Sequence, residues 1–149
     1  MKLLVKEHPD ALNRHRFISI VETPDLRFLQ QKSPREITLS FADIDPDDRF
    51  FSSSEEEDYV LFDDKHADAI IDFLIDAITE PESEMLFVNC MAGISRSGAV
   101  ITFVSDILDI PQMKVMHDNP DIMPNPFVLK TLKRRWRERK LDAANLRRK

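Results

Sequence analysis

Hydrophobic and polar positions alternate along this chain in short runs that predict strands and helices in turn. Residues 16–21 (RFISIV) are β-branched and aromatic, which predicts a buried strand. Residues 36–44 (EITLSFADI) place apolar side chains at every second position, which predicts another strand. The all-apolar run at 85–88 predicts a short central strand covered on both faces. Residues 25–31 are predicted to form a short helix, ended by the serine–proline pair that follows.

Three further segments carry the spacing of helices. The first begins at an N-cap, Asp63 or Asp64, the second spans about residues 98–108, and the third begins at Pro126, which suits a first turn. The residues expected to pack the third helix onto the domain are Leu129, Leu132 and Trp136. Strands that alternate with helices around a buried strand indicate an α/β fold with a central, mostly parallel sheet flanked by helices.

The composition narrows the class of protein. A chain of 149 residues with 42% hydrophobic and 32% charged residues is typical of one globular domain, so residues 1–149 are predicted to form a single domain. No apolar run approaches the ~18 residues of a membrane span, and the first residues (MKLLVKEHPD) lack a signal-peptide core. A single cysteine excludes an internal disulfide and any multi-thiolate metal site. We therefore expect a cytoplasmic protein.

The charge is unevenly distributed. Residues 47–58 (DDRFFSSSEEED) are acidic and serine-rich, which predicts an extended surface loop inserted before the first long helix. Residues 130–149 carry a balance of +8, whereas the preceding 129 residues carry −14. The basic helix and tail at about 127–149 allow two interpretations, a solvated helix face or a surface for a phosphate-rich partner such as nucleic acid or an anionic membrane.

The chemistry is concentrated between a predicted strand and the helix after it. The chain has two glycines, Gly93 and Gly98, and both lie beside the single cysteine, Cys90. A loop of this length can turn its backbone N–H groups toward one point, and the helix N-terminus adds the positive end of its dipole. Arg96 can fork onto two phosphate oxygens, and the same donors lower a thiol pKa. The segment therefore predicts a seat for a tetrahedral dianion beside a reactive thiolate.

The residues CMAGISRSGA at 90–99 resemble the signature of the protein tyrosine phosphatase superfamily, Cys-x5-Arg followed by Ser or Thr, and above all its dual-specificity branch. The resemblance extends from about Phe17 to the last helix. It implies an α/β domain and a mechanism without metal or organic cofactor. The four histidines form no metal-ligand spacing either.

Carried over to this sequence, the resemblance implies a phosphomonoester hydrolase. Cys90 attacks phosphorus to form a cysteinyl phosphate, Arg96 holds the equatorial oxygens, and the Ser97 hydroxyl stabilises the thiolate as it leaves. The substrate-binding residues implied in this way are Met91, Ala92, Gly93, Ile94, Ser95 and Arg96. Because these positions add no lysine, we expect phosphoprotein substrates, with phosphotyrosine first and phosphoserine or phosphothreonine after it.

An aspartate is expected to protonate the leaving group. The resemblance implies an acid at the end of the strand that enters a lid loop, and the sequence offers Asp43 and Asp45 there. Asp43 fits the alternating strand better, and Asp45 is the alternative.

One residue departs from the family pattern. Asn89 stands before the cysteine, where the family usually has histidine. Because asparagine carries no charge, we expect the pKa of Cys90 to be higher than is typical of the family, with reduced or shifted activity.

Two other functions stay open. An RNA 5′-phosphatase of the same superfamily would give the basic C-terminus a purpose, although the loop lacks the extra polar residues of such relatives. A non-catalytic domain that binds phosphoresidues is favoured by Asn89 alone and opposed by the intact Cys90, Arg96 and Ser97.

Overall fold

Four strands form one mixed sheet in the computed structural model, which describes residues 15–22, 29–46, 59–79 and 85–146. The strands are β1 (Arg16–Val21), β2 (Leu29–Ser33), β3 (Glu36–Ser40) and β4 (Leu86–Asn89). Their order is β2-β3-β1-β4, with β1 parallel to both β3 and β4, and β2 antiparallel to β3. The predicted α/β class and mostly parallel sheet are confirmed.

Of the two middle strands, β3 is buried on both faces, whereas β1 is buried on one face and half-buried at Ser19 and Val21 of the other. In β1 the fully buried side chains include Ile18 and Ile20, and in β3 they include Leu39. The polar positions Thr38 and Ser40 of β3 are buried as well. The alternation that predicted β3 therefore marks two covered faces and not one covered and one exposed face.

The predicted helix at 25–31 is wrong where the structure describes it. Residues 29–33 form β2, which pairs antiparallel with β3, and residues 25–28 lie outside the described residues. Pro34 and Arg35 make a two-residue turn between β2 and β3, in which the Arg35 N–H donates to the hydroxyl of Ser33 at 3.1 Å. The signal for a chain break was correct, but it reverses a strand and does not end a helix.

The apolar run at 85–88 was predicted to form a central strand, but the strand that it forms is at the edge of the sheet among the described strands. β4 is shifted by one residue and leaves Met85 exposed. Val88 is its fully buried residue, and Phe87 stacks on Phe17 of β1 with ring centroids 5.2 Å apart. A four-residue apolar run does not distinguish a central strand from an edge strand packed against helices.

Four helices follow or separate the strands. They are α1 (Asp64–Thr79), α2 (Arg96–Ile107), α3 (Gln112–Asp118) and α4 (Pro126–Leu146). The N-cap of α1 is Asp63, whose carboxylate accepts from the N–H groups of Lys65 and His66, both at 3.0 Å. The hydrophobic spacing predicted α1, α2 and α4 but not α3, a short helix with Val115 as its single buried residue.

Helix α4 packs against both α1 and α2, which confirms the predicted role of the last helix. Leu132 is fully buried, and Leu129 and Trp136 pack against the core beside it. The Trp136 ring meets the Phe103 ring of α2 edge-on at 6.1 Å.

Much of the basic charge of α4 is paired within the molecule. Arg134 bonds to Asp64, Arg135 to Asp68 at 2.7 Å and Arg139 to Asp72 at 2.5 Å. These six side chains, here called the α1–α4 ion-pair cluster, align three aspartates one helical turn apart with three arginines. A fourth basic residue, Lys133, pairs with Asp106 of α2 at 2.6 Å. These charges hold helices together.

The predicted acidic insertion at 47–58 lies outside the described residues, as do 147–149. Among the helices that the structure describes, none is long and apolar enough to cross a membrane.

Candidate functional site

The three parallel strands end at one edge of the sheet, and the chemistry-bearing residues follow them there. Glu22 comes directly after β1, Asp43 three residues after β3, and Cys90 directly after β4. The segment 90–95, here called the Cys90 loop, then leads into α2. In open α/β sheets this carboxyl edge is where ligands bind.

Cys90 is 8% exposed, and its sulfur is surrounded by donors. Burial is the largest influence on the pKa of the thiol and raises it. Hydrogen bonds from the Ser97 hydroxyl and from the backbone N–H groups of Ser97, Ile94 and Gly93 together outweigh burial, so the pKa of Cys90 lies below its ordinary value. The Ser97 Oγ lies 3.2 Å from the sulfur. The arrangement favours a thiolate.

Arg96 is 5% exposed and is held from one side. Its Nη1 donates to the backbone carbonyl of Phe41 at 2.8 Å and to the Glu22 carboxylate at 3.5 Å. The buried Nε of Arg96 has no hydrogen-bond partner among the described residues. Buried polar groups are nearly always satisfied, so this N–H is suited to an anion held by the same loop.

Glycine is favoured at positions 93 and 98 for different physical reasons. Gly93 has φ +70, and a Cβ there would meet nothing within 4 Å, so it is the backbone conformation that favours glycine. At Gly98 a Cβ would lie 3.2 Å from the Cβ of Ile122 and 3.6 Å from Pro124. Gly98 therefore lets α2 pack closely against the segment that precedes α4.

Asp43 is bonded to the Cys90 loop. Its Oδ1 accepts from the Ser95 hydroxyl at 2.8 Å and from the side-chain amide of Asn125 at 2.9 Å, and the side chain is exposed. Asp45, the alternative acid, lies two residues further along and is half-buried. The geometry brings Asp43 to the loop, and its role as the acid stays a prediction.

Asn125 connects three parts of the site. Its backbone N–H donates to the carbonyl of Ser95 at 3.1 Å, its side-chain amide donates to Asp43, and its side-chain oxygen caps α4 through the Val128 N–H at 3.1 Å. The neighbouring Met123 N–H donates to the carbonyl of Ile94 at 3.2 Å. The segment before α4 thus supports the Cys90 loop at its last two residues, Ile94 and Ser95.

Asn89 is bonded away from the loop. Its side-chain oxygen accepts from the Ser19 hydroxyl of β1 at 3.1 Å, across the register pair that these residues form. The side chain therefore ties β4 to β1 just before the cysteine.

The substrate-binding residues predicted from the resemblance become less exposed to solvent toward α2. Residues 91–94 are exposed, Ser95 is half-buried and Arg96 is buried. Ser95 precedes α2 without making a side-chain cap, and its hydroxyl donates to Asp43. The first N–H groups of α2 are therefore not capped by Ser95.

Sequence reasoning missed the two groups that hold Arg96. Glu22 follows a strand with no local signal, and the carbonyl of Phe41 belongs to the backbone. The parallel pairing of β1 with β3 and β4 would have placed both near the loop.

No cluster of three or more His, Cys, Asp or Glu side chains suited to a metal ion occurs in the described part of the chain.

Compared with known proteins, the sequence matches no family model and no curated relative.

Proposed function

We propose that this protein is a cysteine-dependent phosphomonoesterase that acts on phosphoproteins through a cysteinyl-phosphate intermediate. The observation that carries the proposal is the pairing of a thiol whose pKa is lowered, at the start of the Cys90 loop, with a buried arginine at the start of α2, whose Nε is without a partner among the described residues. A nucleophile and an anion clamp this close together are what phosphoryl transfer to sulfur requires.

In the first step the Cys90 thiolate attacks phosphorus, so that an S–P bond forms while the bond from phosphorus to the leaving oxygen breaks. The N–H groups of the Cys90 loop and the guanidinium of Arg96 take up the charge on the three equatorial oxygens. Asp43, in its protonated form, gives its proton to the departing phenol or alcohol oxygen. Its bonds to Ser95 and Asn125 hold the carboxyl at the loop.

In the second step water attacks phosphorus and the S–P bond breaks. The Asp43 carboxylate takes a proton from the water, and the sulfur leaves as a thiolate. The Ser97 hydroxyl, 3.2 Å from the sulfur, stabilises that leaving group. The products are inorganic phosphate and the free alcohol or phenol, and the enzyme returns to its starting state.

Hydrolysis of p-nitrophenyl phosphate by wild type and by Cys90→Ser tests the proposal. We expect turnover by the wild type and a loss of at least about 10³-fold in the variant, because serine is a far weaker nucleophile here. A non-catalytic phosphate-binding domain would give no turnover in either protein. Equal turnover in both would exclude Cys90 as the nucleophile.

A phosphotyrosine peptide compared with 5′-triphosphorylated RNA separates the two enzyme functions. Support for the RNA substrate came from the basic end of the chain, and Arg134, Arg135 and Arg139 of that end are engaged by aspartates of α1. We therefore expect turnover of the peptide to exceed release of phosphate from RNA.

A further inference from the structure

The segments that meet at the Cys90 loop are acidic. They comprise Glu22, residues 41–45, the loop with Arg96, and residues 119–125, and hydrogen bonds to the loop or to Arg96 join each of them to the site. Arg96 is the single basic residue in these segments, and it is buried. Their carboxyl groups belong to Glu22, Asp43, Asp45 and Asp121. Because Asp43 is protonated when it acts as the acid, the negative charge that meets the substrate is carried by Glu22, Asp45 and Asp121. The negative potential of these groups acts on the parts of the substrate that flank the phosphate.

The same segments expose large apolar side chains. Met91, next to the nucleophile, is 77% exposed, Ile94 is 36% exposed, and Met123 is 74% exposed. The bond from the Met123 N–H to the Ile94 carbonyl places two of these residues side by side. The two methionines are flexible and offer adaptable apolar contact at a binding surface. Together with Ile94 they are grouped around one site.

Acidic and apolar groups around a single buried arginine define a substrate chemistry. We propose that the site takes a phosphorylated residue in a peptide whose neighbouring residues are basic and apolar. This inference rests on the proposed function, since it concerns the substrate of the same site. The phosphate itself is received by Arg96 and the loop N–H groups, whereas additional anionic groups on the substrate meet carboxylates. Acidic phosphopeptides and polyphosphorylated RNA are therefore disfavoured, and positively charged flanks are attracted.

The test compares three phosphotyrosine peptides of equal length, flanked by arginine and leucine, by glutamate and leucine, or by arginine and serine. We expect kcat/KM at low ionic strength to be about tenfold higher for the arginine–leucine peptide than for the glutamate–leucine peptide. Added salt should shrink that ratio, because it screens exposed charges. The arginine–serine peptide should fall several-fold below the arginine–leucine peptide.

Two charge reversals provide a matched pair. Asp121→Lys changes a carboxylate in the segment whose Met123 and Asn125 bond to the loop, and should narrow the ratio between the basic and acidic peptides. Asp142→Lys makes the same change on an exposed residue of α4, about 25 Å along the helix from Asn125, and should leave the ratio unchanged. Met123→Ala should lower the advantage of leucine over serine without changing the charge preference.

Equal rates for the basic and acidic peptides, or a preference for the acidic peptide or for 5′-triphosphorylated RNA, would overturn the inference. Failure of the proposed function gives a different pattern, in which p-nitrophenyl phosphate is not hydrolysed. In that case the affinities of the same labelled peptides, measured by fluorescence polarisation, test the charge preference by itself, with tighter binding of the arginine–leucine peptide as the expected result.

Discussion

Two regions of this molecule use arginine in opposite ways. In the α1–α4 ion-pair cluster, Arg134, Arg135 and Arg139 lie partly exposed, and each meets the carboxylate of an aspartate. At the Cys90 loop, Arg96 is buried, is held by a carbonyl and a carboxylate at 3.5 Å, and keeps its Nε without a partner among the described residues. The first region uses positive charge to join helices. The second holds positive charge ready for an anion.

The comparison also explains why net charge was a poor guide to the site. The balance of +8 at the basic end of the chain allowed the interpretation that it binds a phosphate-rich partner. Four basic residues of that end pair with aspartates instead: Lys133, Arg134, Arg135 and Arg139. The functional hypothesis depends on a single arginine in acidic surroundings. What matters is how much of a cation's hydrogen-bonding capacity is left unused, which becomes visible only in three dimensions.

The largest expected effect contrasts the same substitution in the two regions. Arg96→Lys should lower kcat/KM for p-nitrophenyl phosphate by about 10²–10³-fold, because lysine cannot bind two phosphate oxygens in a fork. Arg135→Lys should leave kcat/KM within about twofold of wild type, because the cluster does not touch the loop. Steady-state kinetics of both purified variants provide the measurement. Similar losses in both would show that the two regions are not functionally distinct.

The second prediction concerns the acid. Asp43→Asn should slow hydrolysis of phenyl phosphate by about 10²-fold or more, since the poor leaving group needs a proton, while p-nitrophenyl phosphate should be affected less. Asparagine keeps the oxygen that accepts from Ser95 and Asn125, so the local structure should be retained. Asp45→Asn is the control. A larger loss for Asp45→Asn than for Asp43→Asn would reverse the assignment.

The third prediction follows from the hydrogen bonds at the sulfur. Because the pKa of Cys90 lies below its ordinary value, its rate of alkylation by iodoacetamide should reach half-maximum at a lower pH than that of free cysteine. Ser97→Ala removes the bond that lowers the pKa most, so its midpoint should move to higher pH. Asn89→His should move the midpoint to lower pH by adding a positive charge. Identical midpoints for wild type and Asn89→His would refute the interpretation of Asn89.

The smallest effect is expected at the ion-pair cluster. Arg135→Met removes the bonds to Asp68 at the junction of α1 and α4. Because both side chains are partly exposed, we expect a loss of about 0.5–1 kcal/mol in the free energy of unfolding, and a smaller loss at high salt. Urea unfolding at two salt concentrations measures it. A loss of several kcal/mol would mean that the cluster is a principal source of stability.

The sequence was informative where a pattern is local. The run RFISIV predicted β1 with its bounds, and the proline at 126 predicted the start of α4. The grouping of Cys90, Gly93 and Arg96 needed no structure to be noticed, because a loop that binds an anion is contiguous in sequence.

The sequence failed where distant segments meet. The helix predicted over residues 25–31 is wrong at residues 29–31, because pairing with β3 decides the conformation of these residues. No local propensity reveals that pairing. The anchors of Arg96, Glu22 and the carbonyl of Phe41, are brought to it by the parallel register of three strands. The charge on α4 needed the same tertiary information before it could be interpreted.

Trapping the covalent intermediate tests the central claim most directly. Wild-type protein is mixed with p-nitrophenyl phosphate, quenched in acid during turnover, digested, and examined by mass spectrometry. The account predicts one phosphoryl group on the sulfur of Cys90, with more of it accumulating in Asp43→Asn, which cannot activate water for the second step. Turnover without a phosphoryl group on Cys90, or with one on another residue, would contradict it.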